Sequence, residues 1–149
     1  QYSMTGWRIG AVLGNAQIIK LVAEVKSHVD SGVFQAVQLA GIAALQHGAS
    51  SIQKYCGEYQ QRRDFMTREL KKLGFDVPEV KATFYLFIPV PQGYTSTKFC
   101  MKLIEEAAVI VTPGNGFGPN GEGFFRIALT MGEQRLQEAI KRIAAVLKK

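Results

Sequence analysis

The stretch from Val33 to Gln46 constrains this chain more than any other. Its apolar residues follow no single face, and only Gln35 and Gln38 interrupt it before Leu45. A helix that is hydrophobic all round belongs inside a protein rather than on its surface. The rest of the chain does not offer enough apolar surface around it, so the helix is expected to be covered by something larger than this chain supplies. It is also too short to cross a bilayer, which takes about 20 apolar residues.

The neighbouring segments read as alternating helices and strands. Trp7 to Leu13 reads as a buried strand ending at Gly14-Asn15. Gln17 to Val29 carries apolar residues at positions 18, 19, 22, 25 and 29, a helical spacing broken by Asp30-Ser31-Gly32. His47-Gly48 ends the apolar helix. Ser50 or Ser51 is positioned to cap a long helix reaching about Leu73, with Ile52, Tyr55, Cys56, Tyr59, Met66 and Leu70 along its stripe and Gly74 as its stop. Thr83 to Val90 is β-branched and aromatic and reads as a strand. Thr95, Ser96 or Thr97 can cap a helix carrying Phe99, Leu103, Ile104 and Ala107. Val109 to Val111 and Phe124 to Leu129 read as strands. Thr130 with Glu133 matches a capping box, and the last helix would bury Leu136, Ile140, Ile143 and Leu147. The natural division falls near residue 50, giving segments 1–50 and 51–149.

Two arginines stand in glycine-flanked, apolar surroundings. Arg8 lies in Gly6-Trp7-Arg8-Ile9-Gly10, and Arg126 in Gly123-Phe124-Phe125-Arg126-Ile127-Ala128. A guanidinium enclosed by apolar residues is costly unless an anion pairs with it. Arginine is well shaped to hold phosphate or carboxylate through two parallel bonds. The residues alone leave two readings open: a pocket gripping two anions, or internal ion pairs with Asp or Glu.

Tyr2-Ser3-Met4-Thr5-Gly6-Trp7-Arg8-Ile9-Gly10 resembles the segment that follows the cofactor lysine in class I/II aminotransferases, the pyridoxal-phosphate enzymes of fold type I. Thr112-Pro113-Gly114-Asn115-Gly116-Phe117-Gly118 and Gly121 to Leu129 resemble that family's Pro-Gly-x-x-Phe-Gly and Arg-(Ile/Leu)-(Ala/Ser) segments, in the family's order. The likeness runs the length of the chain and is nearest to aspartate- and LL-diaminopimelate-type enzymes. It implies an α/β fold in which residues 1–50 are the tail of the large cofactor domain and 51–149 a small C-terminal domain. By the same resemblance, Arg8 would bind the phosphate of pyridoxal 5'-phosphate and Arg126 the substrate's α-carboxylate. The Schiff-base lysine would fall immediately before Gln1, so no catalytic residue is expected in this chain. The segment alone is expected to be inactive and to be the C-terminal portion of a longer polypeptide.

The resemblance further implies transamination between an α-amino acid and a 2-oxo acid, in a homodimer whose subunits share each site, with Asp30 to Gln35 approaching the partner's cofactor. Two other functions stay open on the same fold: an effector-binding module of a transcriptional regulator, and a carbon–sulfur lyase. The net charge of +6 does not by itself indicate nucleic acid. Lys54, Arg62, Arg63, Arg68, Lys71 and Lys72 are interleaved with Glu58, Asp64 and Glu69, the pattern of a solvated helix face. Lys141, Arg142, Lys148 and Lys149 suit the negative end of a last helix.

The remaining motifs are plainer. Cys56 and Cys100 give no disulfide framework and read as reduced, buried thiols of a cytoplasmic protein. His28 and His47 lack partners at metal-ligand spacing, and no metal or membrane is expected. Gly114-x-Gly116-x-Gly118 misses dinucleotide spacing and reads as a turn where backbone passes close to a ligand or an interface. Thr83-Phe84-Tyr85 reads first as plain core; it also resembles a family segment near the substrate side chain.

Overall fold

The computed structural model describes residues 2–148 and divides into two compact units, Gln1–Gly57 and Glu58–Lys149. In the first, Asn15 caps α1 (Ala16–Ser27), its carboxamide oxygen accepting from the amides of Gln17 and Ile18. That bond satisfies amides which a helix start leaves without partners. Asp30 then accepts from the Gly32 amide, and Gly32 turns at φ +110°, ending the helical run as its sequence indicates. The apolar helix is α2 (Gln35–His47). Among the described residues it is only partly covered: Leu39, Ile42 and Leu45 are exposed, while Val37, Ala40 and Ala44 are half-buried.

The first unit corrects the strand expected at Trp7 to Leu13. Thr5–Trp7 is a 3-10 turn, and the residues after it, through Leu13, form no regular structure and are exposed. A strand needs a ladder partner for its amides and carbonyls, and no strand exists among the described residues of this unit. Helix α3 (Ala49–Lys72) follows Gly48 directly, so Ser50 and Ser51 lie within its first turn rather than at its cap.

The second unit is built on a three-stranded antiparallel sheet of order β1 (Tyr85–Pro89), β3 (Phe124–Ala128), β2 (Thr112–Pro113). Alternation along the strands places Leu86, Ile88, Phe125 and Ile127 on one buried face. That face joins one core with Met66 and Leu70 of α3, Phe99 and Leu103 of α4 (Ser96–Ala107), and Leu136, Ile140 and Ile143 of α5 (Glu133–Leu147). Phe99 and Phe125 meet edge to face with centroids 5.0 Å apart, and Phe75 packs on both.

Three boundaries shift for local reasons. The ladder of β1 starts at Tyr85 because Thr83 sits at φ +72°, outside the extended region. Val109 to Val111 forms no strand, because the Val109 amide is committed to Leu103 O at the end of α4, where Ala108 turns left-handed. The capping box at Thr130 is absent: the chain turns through residues 129–132 after β3, and α5 starts at Glu133 behind Gly132 with no side-chain cap. Thr95 does cap α4, accepting from the Lys98 amide, and Gly74 follows α3 at φ +89°.

Several charges on α3 are paired with neighbours: Arg62 with Glu58, Arg63 with Asp64, and both Arg68 and Lys72 with Glu69. Two of them nevertheless turn inward, which a purely solvated face would not do. Arg62 donates to Leu129 O at 3.1 Å and Arg63 to Val80 O at 3.1 Å, tying α3 to the exit of β3 and to the loop before β1.

Candidate active-site arginine and its surroundings

Arg126 occupies the middle of the central strand, opposite Phe87 of β1 and Thr112 of β2. Because Phe125 and Ile127 take the buried face, Arg126 projects from the other one. Tyr85 and Phe87 share that second face. Tyr85 pairs with Ala128, which makes it a diagonal neighbour of Arg126, within reach for a long side chain. The guanidinium carbon lies 4.2 Å from the centroid of Tyr85.

Its other contact comes from outside the sheet. A 3-10 turn, Gly114–Phe117, brings the Phe117 ring to 4.4 Å from the same carbon. Phe117 itself meets Phe87 edge-on at 6.2 Å, and Phe87 stacks on Phe124 at 5.0 Å. The guanidinium therefore lies between two ring faces, a favourable place for a cation. Among the described residues no carboxylate forms an ion pair with it. Its Nε is buried without a hydrogen-bond partner. The internal ion-pair reading of Arg126 is thus not what the structure contains; the charge is half-buried and free to take an anion.

Two unusual backbone features hold the rings. Thr83, a β-branched residue at positive φ, accepts from the Tyr85 amide through Oγ1 and donates to Tyr85 O. Gly114 and Gly121 cross so tightly that a Cβ on Gly114 would lie 2.2 Å from Gly121 O. The glycine-rich turn is therefore a close passage of backbone against the chain's own backbone. Ser96, fully buried, ties α4 to this crossing: its Oγ donates to Gly121 O and accepts from the Phe124 amide, while its own amide donates to Glu122.

Arg8 belongs to the first unit and is less enclosed than its apolar flanks imply. It is exposed, stands at φ 52°, and donates a single long bond, 3.4 Å, to Thr5 O three residues back. No carboxylate pairs with it among the described residues, so its fork is free for an oxyanion such as phosphate. The donor chemistry of either guanidinium fits a phosphate or a carboxylate, held through two parallel bonds.

The other singled-out residues fall outside this chemistry. Cys100 is buried, and burial pushes its thiol above the ordinary value; Cys56, expected to be buried, is exposed. His28 follows the last turn of α1 and His47 ends α2, both exposed. Among the described residues no three metal-ligating side chains stand together, and no helix is long and apolar enough to cross a membrane. A groove between residues 108–111 and α5, edged by Arg135 and Arg142, includes neither Arg8 nor Arg126. Phe117 stood out in the sequence only as part of the glycine-rich segment; a turn nine positions away gives no sign of stacking on Arg126. Tyr85 had a signal in the alternation Tyr85, Phe87 along a strand.

This α/β arrangement is shared with known transferases. The family of aminotransferases of class I and II matches residues 1–143, and the chain belongs to that family. It is 51% identical to the LL-diaminopimelate aminotransferase of Moorella thermoacetica, over 99% of this chain and 38% of that protein. It is 49% identical to the LL-diaminopimelate aminotransferase of Aquifex aeolicus, over 95% of this chain and 37% of that protein. Among solved structures, an aromatic aminotransferase from Pyrococcus horikoshii superposes with a TM-score of 0.91 at 32% identity, covering 98% of this chain and 40% of that one. BacF from Bacillus subtilis gives 0.88 at 37% identity, covering 95% of this chain and 37% of that one. The fold is therefore that of the fold type I aminotransferases, and the chain spans somewhat over a third of the length of these relatives.

Proposed function

We propose that the protein containing this chain is a pyridoxal-phosphate-dependent aminotransferase, with LL-diaminopimelate as its amino donor and a 2-oxo acid as acceptor. The observation that carries the reading is Arg126: a half-buried guanidinium between two rings, with no carboxylate paired to it among the described residues. Such a group is best explained by an anionic ligand, and every substrate of an amino-acid transaminase carries an α-carboxylate. The names of the similar curated proteins favour LL-diaminopimelate among amino acids.

In this reading Arg8 holds the cofactor's phosphate and Arg126 the substrate's carboxylate. Bound pyridoxal phosphate supplies an electron sink for the pair left at Cα when its proton departs. What this chain adds is orientation. A guanidinium grips a carboxylate through two N–H bonds, so one end of the substrate is fixed in position and in plane. Fixing a reactant in this way removes rotational freedom before the chemical step, which is a large source of rate. The half-buried setting strengthens the grip, because fewer water molecules compete for the same donors.

The apolar surface of α2 is proposed to be covered by the rest of the polypeptide or by a second subunit of a homodimer. Sedimentation of the active full-length protein as a monomer at micromolar concentration would count against a site shared between subunits.

The decisive assay follows amino transfer from LL-diaminopimelate to 2-oxoglutarate by the full-length protein, beside its Arg126→Ala variant. Transfer by the parent and its near-loss in the variant are expected. A parent that binds amino acids without turning them over, or that releases products of carbon–sulfur cleavage from cysteine-like substrates, would replace this reading with a binding module or a lyase.

A further inference from the structure

We infer that Phe117 is a positioning residue for substrate binding: with Tyr85 it clamps Arg126 so that the carboxylate is met by the two Nη atoms and not by Nε. The inference rests on the assignment of Arg126 to the substrate carboxylate and adds what aims that side chain.

Arginine can take a carboxylate end-on through both Nη atoms, or side-on through Nε and one Nη. Here the side-on edge is closed. Nε is buried and unpartnered, so neither water nor a ligand oxygen reaches it while the rings stay in place. Leaving such a donor unsatisfied is unfavourable, and the attraction of the cation for two ring faces offsets that penalty. The Nη atoms donate to no protein group among the described residues and are not buried, so they form the accessible edge.

The clamp is held from both sides by features that are hard to explain otherwise. Thr83 keeps a strained backbone while its hydroxyl bonds both the amide and the carbonyl of Tyr85. Strain of this kind tends to persist where the surroundings require it for function. On the other side, the crossing of Gly114 with Gly121 anchors the start of the turn that carries Phe117.

A guanidinium without its second ring would keep its charge but lose its fixed plane. The effect should therefore appear in substrate binding more than in the chemical step. The test uses the full-length protein with its own cofactor, and steady-state kinetics with LL-diaminopimelate and 2-oxoglutarate. Phe117→Leu should raise KM for both by about three- to tenfold, the range of one cation–π contact, with kcat within about twofold of the parent. Phe117→Trp should restore KM. The same Phe117→Leu change placed in an Arg126→Ala background should add almost nothing, since there is no cation left to aim. Equal losses in both backgrounds would assign Phe117 a merely structural role and overturn the inference.

A second series guards against a variant that misfolds. Replacing Phe117 by mono-, di- and trifluorinated phenylalanine keeps the ring's shape while draining its negative face. KM should climb step by step with fluorination; a flat series overturns the clamp. Failure of the underlying reading looks different: Arg126→Ala would then leave amino-acid turnover unchanged, whatever happens at Phe117.

Discussion

Gly114 and Gly121 cross backbone on backbone: a Cβ on the second would lie 2.0 Å from the carbonyl oxygen of the first. Neither position can carry a side chain without moving the other strand of the crossing. The turn that begins at Gly114 delivers Phe117 to Arg126, so the crossing links a packing constraint to the geometry of the site. Gly114→Ala and Gly121→Ala should each destabilise the fold by about 1–3 kcal/mol, as overpacking does, and should weaken carboxylate binding. Gly116→Ala, where an added Cβ meets nothing within 4 Å, should change stability by less than about 0.5 kcal/mol. Thermal melts of the three variants check the order.

Ser96 is the side chain that fastens α4 to that crossing. Ser96→Ala removes the acceptor of the Phe124 amide and the donor to Gly121 O. Loss of such a partner should cost about 1–3 kcal/mol. Thr97→Ala, which removes one exposed bond from Asn115, should be nearly silent in the same denaturant titration.

The two arginines should separate by phenotype in the full-length protein. Arg8→Ala is expected to weaken retention of the cofactor, because a phosphate dianion loses a charge-assisted partner. Arg126→Ala should leave the cofactor's absorption spectrum nearly intact and lower kcat/KM for α-amino acids by about two to three decades, the loss of one partner of a desolvated charge pair. Arg126→Lys should rescue only in part, since an ammonium cannot reproduce the two-pronged grip. Amines that lack a carboxylate should not sense the change at position 126.

The two thiols should differ in reactivity. Cys56 is exposed and should be alkylated in the native protein within minutes, while Cys100 should be labelled only on unfolding. Burial raises the Cys100 thiol above its ordinary value. Well below the ordinary thiol value the group is neutral in both folded and unfolded chains, and stability is unaffected by it. Above it the unfolded chain ionises first, binds fewer protons and gains. Stability should therefore fall as pH rises through and beyond the ordinary thiol value, and Cys100→Ala should flatten that fall in melts followed between pH 8 and 10.5, a window set by about 8.5 for a free thiol.

If the proposed alignment is right and none of these 149 residues is the Schiff-base lysine, they should by themselves neither hold pyridoxal phosphate covalently nor transaminate. Borohydride reduction followed by mass analysis tests this. A stoichiometric pyridoxyl adduct on a lysine of the chain, such as Lys81, would contradict the alignment.

Local chemistry was legible wherever a residue's own backbone preference settles the outcome. Gly32 and Gly74 after helices and Thr95 before α4 act within a turn or two of themselves. Periodicity likewise marked the buried positions of α5 at Leu136, Ile140 and Ile143. It failed at Trp7 to Leu13, where an apolar run had no ladder to join, and at Thr130, where the chain had to turn before a helix could begin.

The sequence by itself determined the family, the helices and the strands β1 and β3, because spacing and motif identity are properties of the linear chain. It also placed Arg126 on a strand, but not what lies above and below it. Only the tertiary structure decided that no carboxylate among the described residues pairs with Arg126, that Tyr85 reaches it along a diagonal of the sheet, and that Phe117 closes over it from a separate turn. Those contacts depend on strand register and on the crossing of Gly114 with Gly121. Register and crossing are set by the packing of the whole unit, so no local pattern in the chain encodes them.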